Sequence, residues 1–187
     1  TPGRPDGGTM TGAMLAPFHA PAPSIGGITL AAPVVQAALA GYSDRAMRVL
    51  ARRHGAAYSL GEVLLDRFVS ELGTNKRNLA RIAVSPEEHP VGGQLMGANP
   101  DDFPPAARRL VEEGFDVIDI NFGCPVKKVL GRCRGGYLLG VPETALEIVS
   151  RVRDAVPAHV PVTLKMRRRS EEHTLNSSHS SVSRMPS

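Results

Sequence analysis

Residues 116–129 read DVIDINFGCPVKKV and contain the most informative pattern in the chain. The apolar run over 115–120 is short, which is typical of a strand buried inside a sheet. Asp119 and Asn121 project from one face of this strand, because successive side chains of a strand point to opposite sides. The chain then turns at Gly123 and presents Cys124, held by the following proline. We therefore expect a buried strand that delivers polar groups and a thiol to its carboxyl end.

The same unit, an apolar run followed by an amphipathic helical stretch, is repeated along the chain. The apolar runs are Val34–Leu39, Ala56–Leu60, Val91–Met96, Phe115–Ile120 and Val160–Met166. Helical patterns occupy Ser43–His54, Leu64–Leu72, Pro104–Glu113 and Pro142–Ala155. Ser43 is the predicted N-cap of the first helix, and Gly55 and Gly114 are predicted to end the first and third. This alternation predicts parallel strands joined by crossover helices, which is an α/β domain.

Alternation alone is compatible with a doubly wound sheet and with a (β/α) barrel. The positions of polar residues and glycines favour the barrel. They follow the strands, and barrel sites are built at the carboxyl ends of the strands. These residues are Gly41, Glu62, Gly97, Asn121–Cys124 and Lys165–Arg167. The predicted fold is a partial (β/α)8 TIM barrel with about five of the eight strand–helix units that a complete barrel contains.

Composition divides the chain into three zones. Residues 1–24 are rich in Pro, Gly and Ala and are predicted to form a flexible leader, whereas residues 25–169 form the predicted domain. Residues 170–187 are Ser-rich and are predicted to be a disordered tail that does not look native to the domain. With 42% hydrophobic residues the chain can bury a core, and it holds no apolar run long enough to span a membrane.

Cysteine usage and charge narrow the function classes. The two cysteines, Cys124 and Cys133, match neither a disulfide framework nor a zinc pattern, so we expect no metal and a reducing, cytoplasmic setting. The net charge is +4, from 22 Lys and Arg against 18 Asp and Glu. This balance is compatible with a nucleic-acid partner without requiring one. Only 4% of the residues are aromatic, which disfavours recognition of nucleic acid by base stacking.

Several polar residues each have a chemical and a structural interpretation. Cys124 could act as an acid, a base or a nucleophile, or could be a small buried cysteine beside a turn. Lys165 could hold an anionic or acceptor group, or could simply extend into water at a strand end. Gln94 lies inside an apolar run, and its amide must be satisfied by the backbone or by a planar heterocycle. Glu62 could be catalytic or a cap.

Two other features are interpreted as incidental. Cys133 has no Gly/Pro frame and stands between two arginines. The glycine-containing loop 131–136 could approach a phosphate, but it lacks the strand–loop–helix context of a phosphate site. We expect it to be a surface loop.

Five segments resemble the motifs of the tRNA-dihydrouridine synthases. The most specific is DINFGCP at 119–125, followed by Lys127-Lys128-Val129. AALAGYSDR at 37–45 is similar to the first-strand motif APMAGVTDR of the family, and Gly61-Glu62 to its second-strand motif SE. QLMG at 94–97 and PVTLKMR at 161–167 are similar to QI-x-G and PVTVKIR. The segments occur in the family's order, and the similarity extends from about residue 25 to 167.

The resemblance implies an FMN-bound barrel that reduces uracil to 5,6-dihydrouracil in tRNA, with NADPH as the reductant. In such enzymes hydride goes to carbon 6 of the uracil while a cysteine protonates carbon 5, and Cys124 matches that cysteine. The groups implied to hold the flavin ring are the backbone at Ala38, Leu39 and Ala40, the side chain of Gln94 and the ammonium of Lys165. Asn121 is implied to face the flipped uracil, and Lys127 and Arg167 to lie near the RNA backbone. The complete enzyme is expected to be a monomer.

The sequence also departs from the family pattern. Ala38 stands where the family has Pro, and the family's later motifs, including its FMN phosphate loops and tRNA-binding domain, do not follow the fifth strand. We therefore expect this chain alone to bind no flavin tightly and to be inactive. One alternative is a barrel similar to dihydroorotate dehydrogenase, in which an Asn usually follows the Cys-Pro pair, whereas Val126 does here. The other is a non-catalytic fragment.

The tail interpretation predicts the effect of a deletion. Removing residues 170–187 should leave the midpoint of thermal unfolding unchanged, because three scattered apolar residues cannot bury a face. Differential scanning calorimetry of the two chains makes the comparison. A marked fall in the midpoint would show that the tail belongs to the folded domain.

Overall fold

The computed structural model describes residues 22–167, which form one parallel sheet preceded by a hairpin. The antiparallel hairpin consists of β1 (Ser24–Ile25) and β2 (Ile28–Thr29). The five parallel strands are β3 (Val35–Gln36), β4 (Tyr58–Leu65), β5 (Val91–Met96), β6 (Val117–Phe122) and β7 (Val162–Met166).

The order of the strands settles which α/β architecture this is. From β4 onwards each strand pairs with the strand that precedes it, so the spatial order equals the chain order from β3 to β7. A doubly wound sheet would reverse this order at a switch point, whereas a barrel does not. The fold is therefore a half-barrel of five parallel strands, and the predicted fold class is confirmed.

Helices connect the strands on the outer face of the sheet. The α-helices are α1 (Arg45–Arg53), α2 (Asp66–Ser70), α3 (Lys76–Leu79), α4 (Phe103–Glu112), α5 (Lys127–Leu130) and α6 (Pro142–Ala155). Two 3₁₀ helices lie at Pro86–Glu88 and Gly135–Gly140. The main core forms where alternate strand residues such as Ile118 and Ile120 pack with residues of α4 and α6, including Leu110 and Ile148.

The inner face of the sheet is apolar at its amino end, where the hairpin covers it. Tyr58 and Val117 form a second buried cluster there with Leu30. The hairpin turn reaches the start of β7, since a methyl group built on Gly26 would lie 2.7 Å from Cγ of Pro161. The hairpin therefore closes one end of the half-barrel and leaves its carboxyl end for polar groups.

The predicted elements agree best with the structure where strands and helices have sharp ends. β5 and α6 have the predicted bounds, and Gly55 and Gly114 end their helices with φ of +93° and +98°. The predicted second strand is too short, because β4 carries a bulge between Leu60 and Val63 and continues into the region assigned to a helix.

Other boundaries shift by a few residues. β6 starts at Val117 because the chain before it is still turning away from α4, and α4 itself starts at Phe103, one residue before the predicted first proline. The prediction of Ser43 as the N-cap of α1 is wrong, since Asp44 accepts the hydrogen bond from the Met47 N–H. Ser24, assigned to the flexible leader, pairs with Thr29 in the hairpin. The rest of the predicted leader up to residue 21, and the predicted tail, lie outside the described residues.

The inner cluster generates a stability prediction at Gly92. A methyl group there would lie 1.9 Å from the Tyr58 hydroxyl and 2.7 Å from Cδ2 of Leu60, so Gly92→Ala should reduce the free energy of unfolding by about 1–3 kcal/mol. Tyr58→Phe should be neutral or stabilising, because that hydroxyl is buried without a hydrogen-bond partner among the described residues. The double variant should recover part of the loss.

Urea unfolding measures all three variants, with Gly73→Ala as the control, since a methyl group on Gly73 would meet nothing within 4 Å. If Gly92→Ala unfolds at the same urea concentration as Gly73→Ala, the close approach of Tyr58 to Gly92 does not exist in solution.

Candidate functional site

The polar groups of the inner face gather at the carboxyl end in two rows fixed by strand register. Gln94, Asp119 and Thr163 form the first row, because Gln94 is paired with Asp119 and Asp119 with Thr163. Asn121 and Lys165 form the next row towards the carboxyl end. Parallel pairing places side chains in register on the same face, so one polar surface spans three strands.

A continuous set of hydrogen bonds joins these rows. The Asp119 carboxylate accepts from Thr163 Oγ1 at 2.6 Å and from Gln94 Nε2 at 2.6 Å. Gln94 Oε1 accepts from Asn121 Nδ2 at 2.9 Å. Asn121 Oδ1 then accepts from the backbone N–H groups of Gly123 and Cys124, both at 3.0 Å. We name this set, from Thr163 to the Cys124 turn, the amide relay.

Asp119 carries the negative charge of the amide relay. Burial raises the pKa of its carboxyl above the usual value, while the hydrogen bonds from Thr163 and Gln94 and the positive charge of Lys165 offset part of that rise. Both carboxylate oxygens are occupied as acceptors, which is how a buried carboxylate is stabilised. The Lys165 side chain extends past the turn, because a methyl group built on Gly123 would lie 3.3 Å from its Nζ.

The turn that presents Cys124 is held from three sides. Asn121 binds its two N–H groups, and Arg167 Nε donates to the Gly123 carbonyl at 2.7 Å. On the side of the 3₁₀ helix Gly135–Gly140, the Gly136 N–H donates to the Cys124 carbonyl at 3.0 Å. Gly135 has φ of +59°, and a methyl group on it would lie 2.8 Å from Cβ of Cys124. The half-buried thiol is therefore on a rigid support.

The loop at residues 37–43 follows β3 and contains the backbone at Ala38–Ala40 that is predicted to contact the flavin ring. Ala38 is half-buried, and Leu39 and Ala40 are exposed. The Leu39 carbonyl accepts from the N–H groups of Tyr42 and Ser43, and its own N–H donates to the Ser43 hydroxyl. A ring contact from the Leu39 backbone would therefore compete with hydrogen bonds inside the loop.

A buried ion pair anchors this loop to the body of the domain. Arg48 Nε contacts Glu88 Oε2 at 2.5 Å, and both side chains are almost completely buried. Arg48 also donates to the Ser43 carbonyl at 3.0 Å, which links the pair to the loop. Glu62, considered catalytic or a cap, accepts from the Gly41 N–H at 3.2 Å and so ties the same loop to β4.

The remaining predicted residues lie outside the amide relay. Lys127 is exposed at the start of α5, beyond the Cys124 turn. Cys133, which is interpreted as incidental, is exposed and has a φ of +55°. Close to the same loop, a basic pocket of about 140 Å³ is lined by Lys128, Arg132 and Arg134 together with Leu65, Met96 and Val129.

Sequence reasoning misses several residues of the site. It places Asp119 on the correct strand face but gives it no role, and it does not single out Thr163. It assigns Gly135 to a surface loop, although Gly135 supports Cys124. The adjacent glycines 135 and 136 are the available signal, since paired glycines allow close approach of two backbones. It also misses Asp66, whose buried carboxyl fits against Gly97 and has its pKa raised by burial.

Residues 22–167 contain neither a metal-binding cluster nor a membrane-spanning helix. No cluster of His, Cys, Asp and Glu side chains in this range could hold a metal ion. No helix in the same range has the length and hydropathy needed to cross a bilayer.

The fold and the site define a class of protein: a partial (β/α) barrel whose polar site lies at the carboxyl ends of its strands. The family model for dihydrouridine synthases matches residues 35–182, so the chain belongs to the dihydrouridine synthase family. It is 39% identical over 145 residues to tRNA-dihydrouridine synthase B of Xanthomonas campestris, covering 76% of this chain and 42% of the relative. The Pseudomonas aeruginosa protein of the same name is 38% identical over 143 residues, with the same coverage. Probable tRNA-dihydrouridine synthase 1 of Synechocystis is 36% identical, covering 80% of this chain and 43% of the relative.

The chain thus spans less than half the length of these curated relatives. Among solved structures, histamine dehydrogenase from Rhizobium sp. 4-9 is similar with a TM-score of 0.57 and 17% identity, covering 78% of this chain and 31% of that one. A variant of NCR from Zymomonas mobilis has a TM-score of 0.52 and 15% identity, with coverage of 78% and 57%. At these identities the likeness concerns the fold alone.

The support under Cys124 generates a prediction about thiol reactivity. In a Cys133→Ser background, Gly135→Ala should make Cys124 react several-fold faster with iodoacetamide, because the added methyl group and the positive φ force the turn to open. Gly140→Ala is the matched control, since a methyl group there would meet nothing within 4 Å. Equal alkylation rates in the two variants would contradict the proposed support.

Proposed function

We propose that this chain is the N-terminal part of a flavin-dependent enzyme that reduces specific uridines in tRNA to 5,6-dihydrouridine with NADPH as reductant. The observation that carries the proposal is the amide relay, which fixes the Cys124 turn beside the side-chain amides of Gln94 and Asn121. Family membership supports the reaction, and the geometry supports the assignment of roles.

The residues present fit the pyrimidine edge of FMN. Gln94 Nε2 uses one of its two hydrogens on Asp119 and keeps the other, and Lys165 adds an exposed ammonium nearby. Such donors complement ring carbonyl oxygens and the negative charge of a reduced flavin. Gln94, Lys165 and the backbone near Ala38 and Ala40 would hold the ring, with Leu39 shaping the loop. When bound, FMN would supply the hydride, with NADPH as the source of reducing equivalents.

Cys124 is proposed as the general acid. Its turn is fixed by Asn121 and Arg167, so the thiol can deliver a proton to carbon 5 of the uracil without reorganisation. Asn121 Nδ2 retains one hydrogen for a carbonyl of the flipped base. Cys133 lies outside this frame and has no role in the proposal.

The proposed macromolecular partner is tRNA. Lys127 is exposed beside the Cys124 turn, and the adjacent basic pocket adds three further cations that can neutralise phosphates. Arg167 lies at the same edge, where it also braces the turn. We further propose a cytoplasmic, monomeric enzyme without a metal ion.

A chimera tests the function. Residues 1–167 of this chain, joined to the part of Pseudomonas aeruginosa tRNA-dihydrouridine synthase B that follows its matched segment, should form dihydrouridine in tRNA that lacks it. Cys124→Ala should reduce the single-turnover rate by about two to four powers of ten, the usual contribution of a general acid. Flavin content and reduction of the flavin by NADPH should persist, because the thiol is not a ring contact.

Cys133→Ala serves as the matched control and should retain the parental rate. If Cys124→Ala modifies tRNA at the parental rate, or Cys133→Ala is the inactive variant, the assignment of the acid is wrong. A chimera that binds flavin and oxidises dihydroorotate but leaves tRNA unmodified would favour the dihydroorotate dehydrogenase-like alternative.

A further inference from the structure

The amide relay has a direction that its two ends fix independently. At one end stand the backbone N–H groups of Gly123 and Cys124, which can only donate, so Asn121 must turn its oxygen towards them. At the other end stands a carboxylate, which can only accept, so Gln94 must turn its amino group towards Asp119.

The two requirements agree with each other. Once Asn121 directs its oxygen to the turn, its amino group faces Gln94, and Gln94 must offer an oxygen there. An amide with its oxygen on that side has its amino group on the side of Asp119, where the acceptor is. Rotation of either amide by half a turn would place two donors or two acceptors against each other in a buried setting, which is costly.

We propose that Asp119 is a positioning residue that fixes the direction of every hydrogen bond from β5 to the Cys124 turn, so that Gln94 and Asn121 each keep an N–H donor for a ligand. The identity of that ligand rests on the proposed function, whereas the direction of the amide relay does not. A site with spare donors accepts a ring edge that carries carbonyl oxygens and disfavours one that carries an amino group.

An exchange of amide and acid between two positions tests the proposal. Asn121→Asp removes the donor to Gln94 Oε1, and Gln94 then lies between two carboxylates, at positions 119 and 121. Because Gln94 can donate to only one of them at a time, the midpoint of thermal unfolding should fall by roughly 5 °C or more. Asp119→Asn alone should have a smaller effect, because an asparagine there can still accept from Gln94 and can donate to the Thr163 hydroxyl.

The double variant Asp119→Asn/Asn121→Asp should recover at least half of the loss. Gln94 can then turn over and donate to the new carboxylate at position 121, while its oxygen accepts from the new amide at position 119. The backbone N–H groups of the turn still meet an acceptor. The whole amide relay is satisfied in the opposite direction, which gives a favourable coupling between two positions that share Gln94.

The control separates direction from net charge. Asp119→Asn/Asn75→Asp makes the same exchange with the exposed N-cap of α3, where an aspartate can also accept from the Arg77 N–H. In this control the two substitutions should change the midpoint of thermal unfolding additively, with no recovery of the midpoint. A second route uses Gln94→Glu, which loses the donor to Asp119 and should be rescued by Asp119→Asn, because the new asparagine can donate to the glutamate.

Calorimetry of the full 187-residue chain decides the outcome. Recovery in the double variant and none in the control supports the proposal, and so does a double variant that folds when Asn121→Asp alone does not. Additive effects in both pairs, or a double variant that fails to fold, would overturn it.

Activity of the chimera distinguishes this proposal from the proposed function. The exchanged double variant should fold yet form less than about one hundredth of the parental dihydrouridine, because it presents a carboxylate where the uracil carbonyl needs a donor. If the stability recovers but the parental chimera never modifies tRNA, the proposed function fails and the direction of the amide relay stands. If the double variant retains parental activity, the claim about donors is wrong.

Discussion

A single buried carboxylate sets the requirements for the inner face of this half-barrel. Asp119 is buried on the middle strand of three, and a charge in that position is tolerated only when its oxygens are occupied by donors. Thr163 and Gln94 supply those donors from the strands on either side, and parallel register places them level with Asp119. The remaining polar groups of the site follow from this arrangement, because each must complement its neighbour.

The division of the inner face into an apolar and a polar half has a structural cause. The hairpin covers the amino end, where Leu30 and Tyr58 bury one another, so no polar side chain there would meet water. At the carboxyl end β6 carries Asp119 and Asn121 beyond that cover. Along β6 the inner side chains therefore become more polar and slightly less buried, from Val117 at 0% exposed to Asn121 at 8%, towards the end at which barrel sites are built.

The sequence predicts features that are set by neighbouring residues in the chain better than features that are set by contacts between distant segments. The bounds of β5 and α6 are predictable because a glutamine-interrupted apolar run and a proline at the first helical position are local signals. Gln94 is recognisable as unusual, but its partners Asp119 and Asn121 depend on register between strands, because they lie 25 and 27 residues away in sequence. The bulge in β4 and the support of Cys124 by Gly135 likewise come from tertiary contacts that no local pattern encodes.

The two halves of the site are anchored by different means, which has a consequence for how each responds to change. The Cys124 turn is held by hydrogen bonds to Asn121, to the Gly136 N–H and to Arg167 Nε, so its position depends on hydrogen-bond direction. The loop at 37–43 is held through Ser43 by the buried pair of Arg48 and Glu88, so its position depends on charge. Removal of one partner of such a pair leaves an uncompensated buried charge and is strongly destabilising. Changes at Glu88 should therefore displace the loop at 37–43 while leaving the Cys124 turn in place, whereas changes at Asp119 should act on both Gln94 and the Cys124 turn.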